Sequence, residues 1–265
     1  MRLRIRHTTQ YRFDSPETYG LQQVRKTPKP GAAQSVLSWS TRIEGGVKEL
    51  SYEDHHRNTV ELISFEKGTE TLLVTSEGEV ELSETHGVVG PHPGPAPLWL
   101  YRRVTPRTKP GPAIRALVRE VTGDTPLERL HMLMKLIGER VDYQLGATDS
   151  ASEAERVLTE GKGVCQDHAH VYIACAREMG LPARYVSGYL LMDDRVEQEA
   201  MHAWAETHVD GLGWVGFDVS NCISPDTRYV RVATGLDYAD AAPVTGTRTG
   251  QAGEAMNVAI EVAQQ

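Results

Sequence analysis

Three residues of this 265-residue chain have side chains whose types and order suit nucleophilic chemistry: Cys165, His202 and Asp218. Cys165 opens the run "CQDHAHVYIACARE", directly after "GKGV", where a helix is expected to begin. The unpaired N–H groups and the positive end of a helix dipole favour a thiolate at such a place. The same N–H groups can receive an oxyanion. Gly161 and Gly163 permit the tight turn that would present the side chain outward. A thiolate gains from an imidazole that shares and delivers a proton, and the imidazole gains from a carboxylate that orients it. His202 begins the strand-like "HAWAETHV" and Asp218 lies late in "WVGFDV", so both partners follow in order. Cysteine, histidine and aspartate together form an acyl-enzyme from an amide.

For that chemistry His202 and Asp218 must meet across the hairpin that "DGLG" creates. Side chains alternate faces along a strand and paired residues share a face, so these two share one only if the paired numbers give an even sum. A four-residue loop pairing Val209 with Trp214 gives an odd sum and separates them. A three- or five-residue loop, or a bulge, is therefore expected, and Gly211 or Gly213 suits either.

Other readings compete at each position. Cys165 and His168 could share a helix face and recruit His202 or His208 for a metal. Against this, "HAH" places His168 and His170 in nearly opposite directions, and the chain has no HExxH or paired CxxC. No metal and no cofactor is expected. His168 reads as a polar residue at the site mouth and His170 as a packed or exposed helix residue. His208 falls about 20 Å along the strand from His202. Cys175 reads as core, and Cys222, in "SNC", as a neighbour of the site without chemistry. Trp204 and Trp214 read as hairpin packing, with Trp204 also open to forming a cleft wall. "YEDHHRN", residues 52–58, reads as a solvated turn.

The elements that must position these residues can be read on either side. Residues 1 to about 89 hold β-type runs parted by turns, among them "LRIRHTTQYRF", "VLSWSTRI" and "NTVELISFE", which indicates an antiparallel sheet or sandwich. "GPHPGPAPLW", proline-rich from Gly90 to Trp99, reads as an extended connector, so the division falls into a β-rich domain 1–97 and a second domain 98–265. The period then becomes helical. Ile114, Leu117, Val118 and Val121 share one face, closed by Gly123. "TPLERLHMLMKLIGERV" opens with Thr125 as cap, Pro126 at the first position and Glu128 completing a capping box. "SASEAERVLTEG" stops at Gly161, and the helix from Cys165 turns Ala169, Ile173 and Ala176 inward and ends at "GLP". Strands "ARYVSGYLLM", "HAWAETHV" and "WVGFDV" follow. The Thr/Gly-rich stretch near 244–253 is expected to be mobile, and the tail to form one more strand.

Composition bounds the partners. A net charge of -8 offers no basic field for nucleic acid, and no apolar run approaches the length of a membrane helix. The opening "MRLRIRHTTQYRF" lacks the apolar stretch of a signal peptide, and three cysteines are too few and odd in number for a disulfide framework. A cytoplasmic protein with free thiols is the expectation; oligomeric state is unreadable.

The quoted motifs resemble a known family. "GVCQDHAHVYIACAREMGLPARYVSGYL" followed by "HAWAETHVDGLGWVGFDVSN" resembles the transglutaminase-like superfamily, whose bacterial members share a papain-like Cys, His, Asp arrangement. "VDYQLGATDSASEAERVLTEGKG" matches the stretch before the cysteine, and the β-rich first third resembles the N-terminal region of bacterial transglutaminase-like proteins. The resemblance implies an α+β fold with a helix carrying Cys165 packed on an antiparallel sheet. It implies Cys165 as nucleophile, His202 as general base and acid, and Asp218 as its orienting partner. It also implies a peptide or isopeptide amide as substrate. Water as acceptor gives hydrolysis, the preferred reading, and an amine gives transamidation; a non-catalytic module on the same fold is the alternative from another class. Tyr143 matches an aromatic position of the family and is open to a structural or a site role. One departure is Val219, where the family usually has proline.

Overall fold

A computed structural model describes residues 1–17, 19–65, 68–249 and 253–265. The turn-punctuated first third forms seven strands: β1 (Arg2–Glu17), β2 (Tyr19–Val24), β3 (Gln34–Glu44), β4 (Gly46–Glu53), β5 (Thr59–Phe65), β6 (Thr69–Leu82) and β7 (Val88–Gly90). Helical periodicity then takes over in α1 (Pro112–Glu120) and α2 (Pro126–Gly138), followed by β8 (Asp142–Tyr143), α3 (Ala154–Glu160), β9 (Lys162–Gly163) and α4 (Cys165–Glu178). The remainder is β10 (Ala183–Leu190), β11 (Glu197–Gln198), β12 (His202–Val209), β13 (Gly213–Phe217), β14 (Tyr229–Gly235), α5 (Tyr238–Ala241), β15 (Val244–Thr249) and β16 (Glu254–Gln264). The fold is α+β, and among the described residues no helix is long and apolar enough to cross a membrane.

Three sheets carry the architecture. β14, β10, β12, β13 and β7 form one; β11, β16, β1, β6 and β3 a second; β15, β2, β5 and β4 a third. The second and third face each other through Tyr11, Phe13, Ile63, Phe65, Leu72 and Val74. The chain's last strands join the N-terminal sheets. β15 and β16 lie outside the sheet that follows residue 98 and pair with β2 and β1. Backbone pairing across the whole chain length thus extends both N-terminal sheets, covering the β1 and β2 edges that would otherwise stay open. Residues 244–249, expected to be mobile, are strand; Gly250, Gln251 and Ala252 of that stretch lie outside the described residues. Leu3, Ile5 and Val80 of the N-terminal sheet share one apolar cluster with Ile173, Ala174 and Tyr189.

Local signals resolve as the sequence suggests where they are local. Thr125 accepts from the Glu128 N–H at 3.2 Å, and a Glu128 carboxylate oxygen accepts from the Thr125 N–H, closing the capping box of α2. Gly161 ends α3 at φ +68, a left-handed conformation that glycine adopts freely. Gly123 does not close α1, because that helix already stops at Glu120 with Val121 extended. α4 is buried from Asp167 to Arg177 on every side rather than along one stripe, since it lies between the other helices and β10 and β12. The turn at residues 52–58 is only partly solvated: Tyr52, Glu53, His55 and Arg57 are exposed, but Asp54 accepts from the N–H groups of His56 and Asn58, and His56 is buried against the Tyr101 hydroxyl at 3.1 Å.

Candidate active site

Cys165 is the first residue of α4. Two residues on, Asp167 accepts from the Val164 N–H at 2.8 Å and from the Thr148 hydroxyl at 2.6 Å, which pins the turn before the helix. Gly163 is required there, because a Cβ would stand 2.7 Å from the Asp167 Cβ. The cysteine is therefore half-buried at a helix start, with the unpaired first-turn N–H groups beside it.

The hairpin delivers the histidine and the aspartate to one face. β12 and β13 pair Val209 with Gly213, leaving Asp210, Gly211 and Leu212 as a three-residue loop, and Gly211 and Gly213 adopt φ +84 and +80. The paired numbers give the even sum that the chemistry needs. His202 Nε2 donates to Asp218 Oδ2 at 2.7 Å. That bond leaves Nδ1 for Cys165, which lines the same cavity and acts on the ring's pKa. Burial opposes the imidazolium, but the interactions with Asp218 and Cys165 outweigh it and push the His202 pKa up to about 10. Asp218 is buried, yet the bonds from His202, Tyr229 and Asn221 hold its carboxyl below the usual range.

Asp218 is held from several sides. The Tyr229 hydroxyl and the Asn221 side-chain amide each donate to Oδ2 at 2.7 Å, and the Ser220 N–H donates to Oδ1 at 3.0 Å. Tyr229 also presses on the His202 ring, 5.9 Å between centroids, and Trp204 stacks on that ring at 6.2 Å. Trp204 is thus the backing of His202, not a wall of the cavity that opens on Cys165. Tyr143 is exposed; partial burial, then the negative charges of Cys165 and Asp218, push its pKa up to about 12.

The other histidines and cysteines stand apart from this line. His168 is not at the mouth but buried behind it: Nε2 donates to the Val141 carbonyl at 2.9 Å, and Nδ1 accepts from the Ser220 hydroxyl at 2.8 Å. With both nitrogens bonded, it fastens the loop after Asp218 to α4 and has no lone pair for a metal. His170 is packed, accepting from the Tyr238 N–H at 3.1 Å, and burial brings its pKa down to about 3. His208 sits against Trp214, 5.5 Å between centroids. Cys175 is buried, and burial raises its thiol pKa. Cys222 is exposed in a left-handed turn at φ +53. Among the described residues, no group of three or more His, Cys, Asp or Glu is gathered as a metal site.

Tyr229, Asn221 and Ser220 were not singled out in the sequence. Asp218 itself carries a local signal, an Asx-type turn in which Oδ1 accepts from the Ser220 N–H two residues on and which brings Asn221 beside the carboxylate. Tyr229, eleven residues on, carries none, because its approach depends on β14 pairing with β10.

Comparison with known proteins places these features. Residues 115–219 match the model of the transglutaminase-like superfamily, and residues 3–81 match the bacterial transglutaminase-like N-terminal region. An uncharacterized protein of Mycobacterium leprae is 26% identical over 98% of both chains. An uncharacterized protein of Mycobacterium bovis is 29% identical over 98% of this chain and 92% of its own. The solved structure named "Putative Cysteine Protease from Cytophaga hutchinsonii" superimposes with a TM-score of 0.80 over 99% of this chain and 90% of that one, at 21% identity.

Proposed function

Because the chain belongs to the transglutaminase-like superfamily, we propose that it is a cysteine-dependent amide hydrolase acting on peptide or isopeptide amides, with Cys165, His202 and Asp218 as its catalytic residues. The observation that carries this reading is the 2.7 Å bond between His202 and Asp218 beside a cavity that Cys165 and His202 line together. The Cys165 thiolate attacks the amide carbon, and the N–H groups at the start of α4 receive the oxyanion. His202, as imidazolium, gives its proton to the nitrogen; the C–N bond breaks, and the amine leaves a thioester behind. Water then attacks the thioester while His202 takes its proton, and the C–S bond breaks to release the acid. Asp218 keeps Nε2–H on its own side of the ring, so Nδ1 faces the reacting atoms. Three free cysteines suit a reducing compartment, which supports the cytoplasm as the place of action.

A screen of peptides and glutamine donors, with and without added amines, tests the proposal against a Cys165→Ala blank. Release of acid that depends on Cys165 supports hydrolysis. Amine incorporation at the expense of acid would replace it with transamidation, and a wild-type trace identical to the blank across the screen would leave a binding module on the same fold.

A further inference from the structure

A cavity of about 310 Å³ opens beside Cys165 and His202 and reaches the N-terminal sheet, where His7 and Thr9 of β1 line it opposite Tyr185 and Ser187 of β10. Apolar groups such as Met201, Val244 and Val258 form most of its wall. The polar groups have two properties that suit an anionic ligand. Ser187 is 2% exposed, and its Oγ has no hydrogen-bond partner among the described residues, so a donor at the cavity wall is left for a ligand. Behind Thr9 lies Lys26, fully buried, its ammonium donating to Thr9 Oγ1 at 2.6 Å. Burial pulls the Lys26 pKa down to about 7 against the field of Glu61, which is already ion-paired with Lys48 at 2.9 Å, so an anion on the cavity side would be the partner that holds Lys26 charged. Thr9 also contacts His7 Nε2 at 3.3 Å, and His7 Nδ1 meets the Tyr189 hydroxyl at 3.1 Å. Burial, followed by the charge of Lys26, holds His7 neutral. The carboxylate at the mouth, Glu199, is exposed to water and screened.

We infer that this cavity seats a substrate group, flanking the amide to be cleaved, that ends in a carboxylate. Ser187 donates to it, and the buried ammonium of Lys26, relayed through Thr9, compensates its charge. A carboxamide of the same shape accepts the Ser187 bond but leaves Lys26 uncompensated, and an apolar group leaves both unmet. The inference rests on the reading of Cys165 as the nucleophile only for the position of the group, since the cavity chemistry itself belongs to β1, β10 and Lys26. It also assigns the N-terminal sheet a share in selecting substrate.

Matched peptide amides that differ only in Glu against Gln, at each position on either side of the bond, test it. With the wild-type protein, one position is expected to favour Glu by about tenfold in kcat/KM. That ratio is expected to fall close to one in Lys26→Met and in Thr9→Val, the second serving where the first does not fold. Equal handling of Glu and Gln at all positions, or a preference that survives in both variants, overturns the inference. Binding of the same pairs to Cys165→Ala, read by calorimetry, reports the preference without turnover. A protein that cleaves nothing but binds the Glu peptides tightly refutes the proposed hydrolysis and keeps the carboxylate site, whereas binding of neither member of any pair overturns the site.

Discussion

Replacing Asp218 with asparagine tests the electrostatics of the site most directly. His202 stands at about 10, against the 6.5 of an unperturbed histidine, although burial alone would move it the other way. At ~1.4 kcal/mol per pH unit that gap corresponds to about 5 kcal/mol favouring the buried imidazolium. The carboxylate holds it through a 2.7 Å bond and is itself held by Tyr229, Asn221 and the Ser220 N–H. An asparagine in its place turns an amide NH2 either toward the donors His202, Tyr229 and Asn221 or toward the Ser220 N–H, so one donor cluster is left facing another. The imidazole of Asp218→Asn is expected to titrate several pH units lower, and turnover at pH 7 to fall about 10²- to 10⁴-fold through loss of the general acid. The sign of the stability effect follows from the raised pKa. The contribution of His202 is complete below pH ~6.5 and is lost as pH rises through about 10, so the stability difference between wild type and Asp218→Asn narrows across that window. NMR of ring-labelled histidine follows the titration, and urea melts at pH 7 and above 10 follow the stability. A His202 ring that titrates near 6.5 in the wild type, or whose titration ignores Asp218→Asn, would refute the reasoning.

Two further outcomes follow from the same geometry. Tyr229→Phe removes one donor from Asp218 Oδ2 and one acceptor from Asn221, so kcat is expected to drop about tenfold with KM little changed; an unaltered kcat would show that Tyr229 does not hold the carboxylate. Glu206→Gln leaves the Arg184 and Arg231 guanidiniums, which bond Glu206 at 2.7 and 2.6 Å, buried without their counter-charge, and should cost about 3–5 kcal/mol in urea unfolding at pH 7. Burial works against the Glu206 carboxylate, but the two guanidiniums lower its pKa to about 2, so this penalty is full above pH ~4.5 and fades as pH falls toward 2. A penalty below 1 kcal/mol at pH 7, or one constant down to pH 2, would contradict the pairing.

Neighbouring residues in the chain determined a good deal of this protein. The capping box at Thr125 and Glu128, the stop at Gly161 and the start of α4 at Cys165 arise within one helical turn, where a few bonds outweigh the alternatives. The parity of the hairpin required an odd loop if His202 and Asp218 were to meet, and the turn Asp210–Gly211–Leu212 supplies it. Other features depended on pairings across most of the chain. β15 and β16 return to β2 and β1 because backbone groups of distant strands need partners, a demand that carries no local signature. His168 reads as a polar residue at the site mouth until Val141 and Ser220 close over it, and Tyr229 reaches Asp218 only once β14 lies beside β10. The order Cys165, His202, Asp218 was therefore set by the sequence, as residue types and strand parity are one-dimensional properties. The support of Asp218, and the Lys26, Thr9 and Ser187 side of the cavity, were decided by tertiary packing, because burial and charge compensation exist only between elements brought together by the fold.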